Sequence, residues 1–303
     1  MILLYHTILP DNSPSIRFRV NSGISQSVFD KQIQWISKHR LIVSLDQYLQ
    51  MLNDPEHNKE EPVVITFDDG FRQTFDCILP IIQRRNTPVT IFLCSAHIGN
   101  QSLLWFSYLK ALCFESKYSI IGVDNFKFDL DQIQQRINTW KELMRIATKS
   151  GNPTIFVNQL AEKYPLDCEL TNPYLGMTHN QIEQGLDSNL VEFGGHTVNH
   201  PFLNRIPVTL QREEIINNKD DIEQLTKKPV RYFAYPSGEY NKDSVNLIEQ
   251  AGYEAALAVI PKRITRSTFE IERVGIYSQS TGKFKIKMLG GATFLRRLGI
   301  HVG

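Results

Sequence analysis

Seven short apolar runs punctuate the chain: Ile2–Tyr5, Val63–Phe67, Val89–Leu93, Val191–Gly194, Val230–Tyr235, Ala255–Ile260 and Ile271–Ile276. Each is nearly continuous rather than alternating, the pattern of parallel strands covered on both faces. Between them the spacing turns helical. In Ser27–His39, Phe29, Ile33 and Ile36 share one face, and Ser27 with Asp30 has the form of a capping box. Phe71–Arg85 does the same with Phe75, Ile78, Leu79 and Ile82. Val208–Lys227 is a charged amphipathic helix opened by Pro207, and Asn241–Gln250 is another, closed by Gly252. Strands alternating with helices predict an α/β fold, and about seven strands predict a distorted, TIM-like (β/α) barrel.

The rhythm breaks between Gly99 and Met177. That interval is too long for a loop, and Leu103–Phe114, Leu130–Lys149 and Thr154–Tyr164 have helical patterns. It predicts a helical insertion over residues 99–177 that covers the barrel mouth. Neither a repeat nor a linker divides the chain, so residues 1–303 are expected to form one domain. From Lys283 to Gly303 there is no acid, while Lys283, Lys285, Lys287, Arg296 and Arg297 alternate with apolar residues. A basic amphipathic tail over 283–303 can touch an anionic membrane surface or a lipid-linked substrate; it can equally pack by its apolar side.

Composition narrows the function classes. Lys and Arg number 33 against 32 Asp and Glu, a net charge of +1, which argues against a nucleic-acid partner. Cys77, Cys94, Cys113 and Cys168 lie far apart with no C-x-x-C pair, as expected of buried, reduced thiols. The opening MILLYHTILP has no basic cluster and only a short apolar run, and no run approaches the roughly 18 residues of a membrane span. A cytoplasmic location is expected, with peripheral contact at the inner membrane face open to the tail.

The candidate chemistry sits at strand ends, which form the active-site face in parallel α/β folds. Val64–Phe67 runs directly into Asp68, Asp69 and Gly70. Two adjacent acids there are costly to keep ionised without a cation or hydrogen bonds, although either Asp69 or Gly70 could instead open the following helix. Phe193-Gly-Gly-His196-Thr-Val-Asn-His200 is a second strand end with two histidines four residues apart. On one helical turn that spacing puts both imidazoles on one face, and two neutral imidazoles with one carboxylate make a catalytic zinc set with an open position for water. Tyr232-Phe-Ala-Tyr235-Pro236-Ser-Gly238 is a third strand running into a turn. It reads as an ordinary β-turn or as a turn presenting the Tyr235 N–H to a developing oxyanion.

T-F-D-D-G, H-T-x-x-H and F-A-Y-P-x-G in that order resemble the polysaccharide deacetylase family, carbohydrate esterases with a NodB-type domain. The motifs span Thr66 to Gly238, and the strand–helix rhythm extends the likeness over nearly the whole chain. The resemblance implies a distorted barrel that removes acetyl groups from N-acetylated amino sugars. It implies that Asp68 is the general base and that Asp69, His196 and His200 hold one divalent ion, zinc first, with Co2+, Ni2+ or Mn2+ as substitutes. Tyr235, Pro236 and Gly238 would line the oxyanion and substrate site. Many members open the third motif with arginine where this chain has Ala234; Arg273 is the candidate replacement that braces Asp68, or else a surface strand arginine. The late Leu-x-His motif is absent, and Leu3-Leu-Tyr-His6 resembles the rearranged branch with an N-terminal acid histidine. His6 would then protonate the departing amine, and a neighbouring acid should make it hold its proton longer.

Two rival functions remain open: a deformylase or amidase acting on a lipid-linked or nucleotide-linked amino sugar, and a non-catalytic carbohydrate-binding barrel with a structural metal. G-x-G-x-x-G, phosphate-loop and G-x-S-x-G motifs are absent. Trp105, Tyr108 and Trp140 in the insertion offer faces for sugar stacking or for packing.

Overall fold

The computed structural model describes residues 1–13, 23–52, 61–99, 103–167, 174–262 and 268–289. Each of the seven apolar runs forms a strand: β1 Ile2–Tyr5, β2 Val64–Phe67, β3 Val89–Leu93, β4 Val191–Gly195, β5 Tyr232–Ala234, β6 Ala255–Ala258 and β7 Ile271–Gly275. They pair in parallel, in sequence order, and β1 closes the barrel by pairing with both β2 and β7. The expected fold class is therefore the observed one. Continuous apolar runs were needed because both faces are covered. Ile2, Val64, Phe92, Tyr232, Ala255 and Leu257 cluster inside the barrel. Their strand neighbours Leu3, Ile65, Ile91, Phe233 and Ala256 pack outward against the helices.

Those helices are α1 Gln26–His39, α2 Leu45–Leu52, α3 Arg72–Arg85, then, beyond the insertion, α7 His179–Asp187, α8 Val208–Thr226 and α9 Lys242–Gln250. The capping box expected at Ser27 and Asp30 does not form. Helix α1 starts at Gln26 behind Ser25, and Asp30 accepts instead from Arg84 and Arg85 at 2.8 and 2.6 Å, because α3 packs alongside.

Between β3 and α7 the chain forms α4 Trp105–Phe114, α5 Ile133–Lys149 and α6 Pro153–Lys163. An antiparallel hairpin, Ile120–Val123 with Phe126–Asp129, joins the first two, where the sequence pattern had suggested helices alone. This segment has its own apolar cluster, including Tyr108, Leu112, Ile121, Leu143 and Leu160. Cys77, Cys94 and Cys113 are buried free thiols, and Cys168 lies outside the described residues.

After β7, α10 Thr281–Met288 buries Phe284 and Met288, and Lys287 Nζ donates to Gly275 O at 2.9 Å. The described part of the basic tail thus packs by its apolar side. Residues 290–303, including Arg296 and Arg297, lie outside the described residues. Among the described residues no helix is long and apolar enough to cross a membrane.

Candidate active site

Strand parity explains how Asp68 reaches the mouth. Val64 faces the barrel interior, so the same side recurs at Thr66 and Asp68. Alternation would send Asp69 outward. Its left-handed conformation (φ 75°), continued by Gly70 (φ 70°), turns the chain so that its carboxylate also meets the mouth. Thr197, His200 and Ser237 are left-handed as well, at φ 67°, 58° and 53°. Each such residue costs about 1–2 kcal/mol, and such strain concentrates where function demands a shape. Neither acid caps α3, whose N-cap is Phe71.

The two histidines converge without a helical turn. Residues 196–200 form an irregular loop, contrary to the expected helical turn. Side chains capture the groups that a helix would have paired. Thr197 Oγ1 accepts from His200 N at 3.0 Å, Glu214 accepts from Asn199 N at 2.8 Å, and Asn218 Nδ2 donates to Thr197 O at 2.7 Å. Before the loop, Gly195 must be glycine, because a Cβ would lie 2.4 Å from Tyr253 Oη and 2.7 Å from Asn218 Oδ1. His196 Nδ1 lies 2.7 Å from Ala234 O, which turns Nε2 toward the acids.

Asp69, His196 and His200 are buried, and their ligand atoms all lie within 4.8 Å of one another. Asp69 Oδ1 is 3.6 Å from both His196 Nε2 and His200 Nε2 and has no hydrogen bond. Those gaps are too long for hydrogen bonds. They are close to the roughly 3.4 Å that separates two tetrahedral ligands each about 2.1 Å from zinc. Burial, and then the adjacent Asp68, push the Asp69 carboxyl well up; burial lowers both imidazoles, His200 well below its ordinary value. Neutral imidazoles around an acid that needs positive charge fit a divalent cation.

Arg273 is no surface residue: it is fully buried. Its Nη1 and Nη2 donate to Asp68 Oδ1 and Oδ2 at 2.6 and 2.8 Å, a bidentate pair across the barrel. Burial alone would raise the Asp68 carboxyl, but the charge and hydrogen bonds of Arg273, with His196 and His6 adding to them, together hold it below the usual carboxylate range. His6 shares the interior parity of Ile2 and is half-buried, with its Nδ1 buried and without a hydrogen-bond partner among the described residues. Its expected gain in basicity does not occur. Burial lowers it to about 4, with Asp68 opposing and Arg273 and His196 reinforcing. The Asp68 charge already faces Arg273, so it compensates His6 only in part.

The third motif also needs a correction. Tyr235 N–H donates to Leu257 O at 3.1 Å, and its hydroxyl donates to Phe269 O at 2.9 Å. The amide is committed to the barrel and is not presented to the mouth. Pro236 and Gly238 instead shape a tight turn, closed by Gly238 N–H to Tyr235 O at 3.1 Å, and Ser237 at its tip lines the cleft. That cleft, of about 400 Å³, is bounded by His6, Asp69, His200 and Ser237 on the barrel side. Phe71, at the start of α3, and Phe106, Lys110 and Trp140, from the insertion helices, complete its lining.

Tyr108 packs inside the insertion, its Oη donating to Tyr164 O at 2.8 Å, and does not line the cleft. Trp105 is buried but does line it, and its Nε1 donates to His200 O at 3.1 Å. Three residues were missed by the sequence reading. Asn218 is fully buried and also accepts His196 N–H at 2.9 Å; its signal was a polar residue in the apolar stripe of Ile215 and Ile222. Phe106 packs edge-on at 4.8 Å from the His200 ring, and Lys110 lines the cleft; neither had a distinguishing pattern.

Residues 56–256 match the sequence profile described as Polysaccharide deacetylase. YxkH of Bacillus subtilis is 18% identical over 285 residues, 93% of this chain and 72% of that protein. Poly-beta-1,6-N-acetyl-D-glucosamine N-deacetylase of Staphylococcus aureus is 29% identical over 83 residues, 27% of this chain and 28% of that protein. Among solved structures, Streptococcus pyogenes deacetylase PplD in complex with acetate superposes with a TM-score of 0.61 at 17% identity, covering 94% of this chain and 96% of that one. IcaB from Ammonifex degensii superposes at 0.60 and 17% identity, covering 94% and 93%. These superpositions show a shared fold.

Proposed function

The chain belongs to the polysaccharide deacetylase family, and from that premise we propose that it is a metal-dependent hydrolase removing the N-acetyl group of an amino sugar. The observation that carries the reading is the buried Asp69, His196 and His200 set beside a separately braced Asp68. A structural metal site would need no second carboxylate clamped by arginine and no further histidine, His6, lining the same cleft, which favours an enzyme over a carbohydrate-binding barrel.

Asp69, His196 and His200 would hold the ion, with zinc favoured by the two-imidazole, one-carboxylate set. When bound, a divalent cation supplies Lewis acidity, both to acidify water and to stabilise developing negative charge. Asp68 takes the proton of the attacking water as a new C–O bond forms at the acyl carbon. Arg273 fixes both oxygens of that carboxylate, so the base is oriented before substrate arrives. Ser237, rather than Tyr235, stands at the turn where a backbone N–H can meet the carbonyl oxygen.

Burial keeps His6 neutral at rest. The proton it passes to the departing nitrogen is therefore acquired during turnover, from the one that Asp68 takes off the attacking water. The C–N bond breaks, the amine leaves neutral with that proton, and the acyl group leaves as acetic acid, whose remaining water proton is lost to solvent to give acetate.

The test is amine and acid release from N-acetylglucosamine oligomers by the zinc-loaded protein, with and without chelator. Metal-dependent acetate release is expected. Formate release from N-formyl sugars alone would move the chain to the deformylase reading, and no release from any N-acyl sugar would sink the enzymatic one.

A further inference from the structure

The cleft lining contributed by α4 and α5 carries two donors that have no hydrogen-bond acceptor among the described residues. Lys110, on α4, has no hydrogen bond and no ion pair among the described residues; the ring of Tyr174 lies 5.5 Å from Nζ. Glu115, the carboxylate that acts on it, accepts from Tyr174 Oη at 2.8 Å. Burial pulls the amine down to about 8, with Glu115 offsetting part of that shift. Trp140 Nε1, on α5, is buried and unpartnered. The insertion residues that line the cleft beside them, Trp105, Phe106, Ser107 and Met144, carry no carboxylate.

An unpaired buried N–H and a desolvated ammonium both destabilise the empty protein. They face the same space as Asp69, His200 and His6, where a substrate must sit. Sugar hydroxyls could accept from either donor, but only an anion also compensates the desolvated charge. We propose that Lys110 and Trp140 form an anion-binding subsite, and that the substrate is an N-acylated amino sugar carrying a carboxylate or phosphate group. This deepens the deacetylase reading and rests on it for the sugar and the N-acyl group, while the subsite itself is open to a separate test.

That test is equilibrium binding to the zinc-loaded Asp68→Asn protein, a background in which turnover is slow. N-Acetylglucosamine serves as the neutral probe, N-acetylmuramic acid as the carboxylate probe and N-acetylglucosamine 6-phosphate as the phosphate probe. At least one anionic probe is expected to bind about tenfold tighter than the neutral one, as a charge-assisted hydrogen bond allows, and the stronger of the two identifies the group. Adding Lys110→Met should remove that ratio, Lys110→Arg should retain most of it, and Trp140→Phe should reduce it a few-fold. Equal binding of all three probes would overturn the proposal. So would a preference that survives Lys110→Met, since the anion would then be gripping the metal alone. Because binding is the readout, a failure of hydrolysis would count against the deacetylase reading and leave this result standing.

Discussion

Two walls of one cleft handle buried charge in opposite ways. On the barrel wall each charge has an answer close by. Asp68 is clamped by Arg273, both histidine ligands are neutral, and Asp69 faces two imidazole nitrogens that can share a cation with it. On the insertion wall, Lys110 Nζ has only the Tyr174 ring at 5.5 Å, and neither it nor the Trp140 indole N–H has a hydrogen-bond acceptor among the described residues. Under the proposed function the first wall is organised before substrate arrives, and the proposed subsite on the second would be completed by what binds. That reading divides the labour, with reactivity in the barrel and selectivity in the helices between β3 and α7. It also follows the general pattern in which groups poised for reaction are pre-oriented.

The largest effects should come from the barrel wall. Asp69→Ala and His196→Ala are expected to abolish both bound metal and hydrolysis, read by metal analysis and acetate release. Asp68→Asn should keep the metal while slowing hydrolysis by about 10²–10⁴-fold, the usual range for a general base. A fully active Asp68→Asn protein would erase the distinction between the two acids.

Arg273→Met comes next. Leaving Asp68 buried and unpaired should destabilise the metal-free protein by about 3–5 kcal/mol at neutral pH. The sign with pH is fixed by the shift. In the native protein Asp68 titrates below its ordinary value, so its pairing contributes stability above the ordinary carboxylate range, lost as pH falls through the folded value. The gap between native and variant in urea unfolding should therefore be widest at pH 7 and shrink toward pH 3. A constant gap would mean that Arg273 acts through packing alone.

The smallest effect has the opposite sign and tests the insertion wall. Burial depresses Lys110 to about 8 from 10.5, so the folded protein disfavours its charged form. That penalty is complete below pH 8 and disappears as pH rises through 10.5. Lys110→Met should stabilise the substrate-free protein at pH 7 by about 2 kcal/mol, after allowing for residual exposure. The gain should fade in alkaline solution. A variant that is less stable than the native protein at pH 7 would place Lys110 among the supports of the fold and end the contrast between the walls.

Much of this molecule was legible as local pattern. All seven strands lie within the apolar runs or differ at their ends by a residue or two. The motif acids and histidines stand at the same end because parallel strands in a right-handed barrel present their C-terminal ends together. Interior parity, counted from Ile2 and Val64, even carries His6 and Asp68 to the mouth. Details of the backbone were less legible. The loop over 196–200 is not helical because Asn218 and Glu214, from α8, capture its polar groups. Tyr235 N–H is occupied because β6 supplies Leu257 O.

The chain order of apolar runs and turn residues, then, determined the barrel and which side chains its mouth would collect, since hydrophobic period and strand parity are properties of neighbours in sequence. Only the tertiary structure decided what those side chains would experience. Arg273 reaches Asp68 across 205 residues, burial reverses the expected basicity of His6, and Lys110 and Trp140 meet the mouth from separate helices of the insertion. Desolvation and Coulomb interaction depend on what is near in space, and no local pattern along this chain records that.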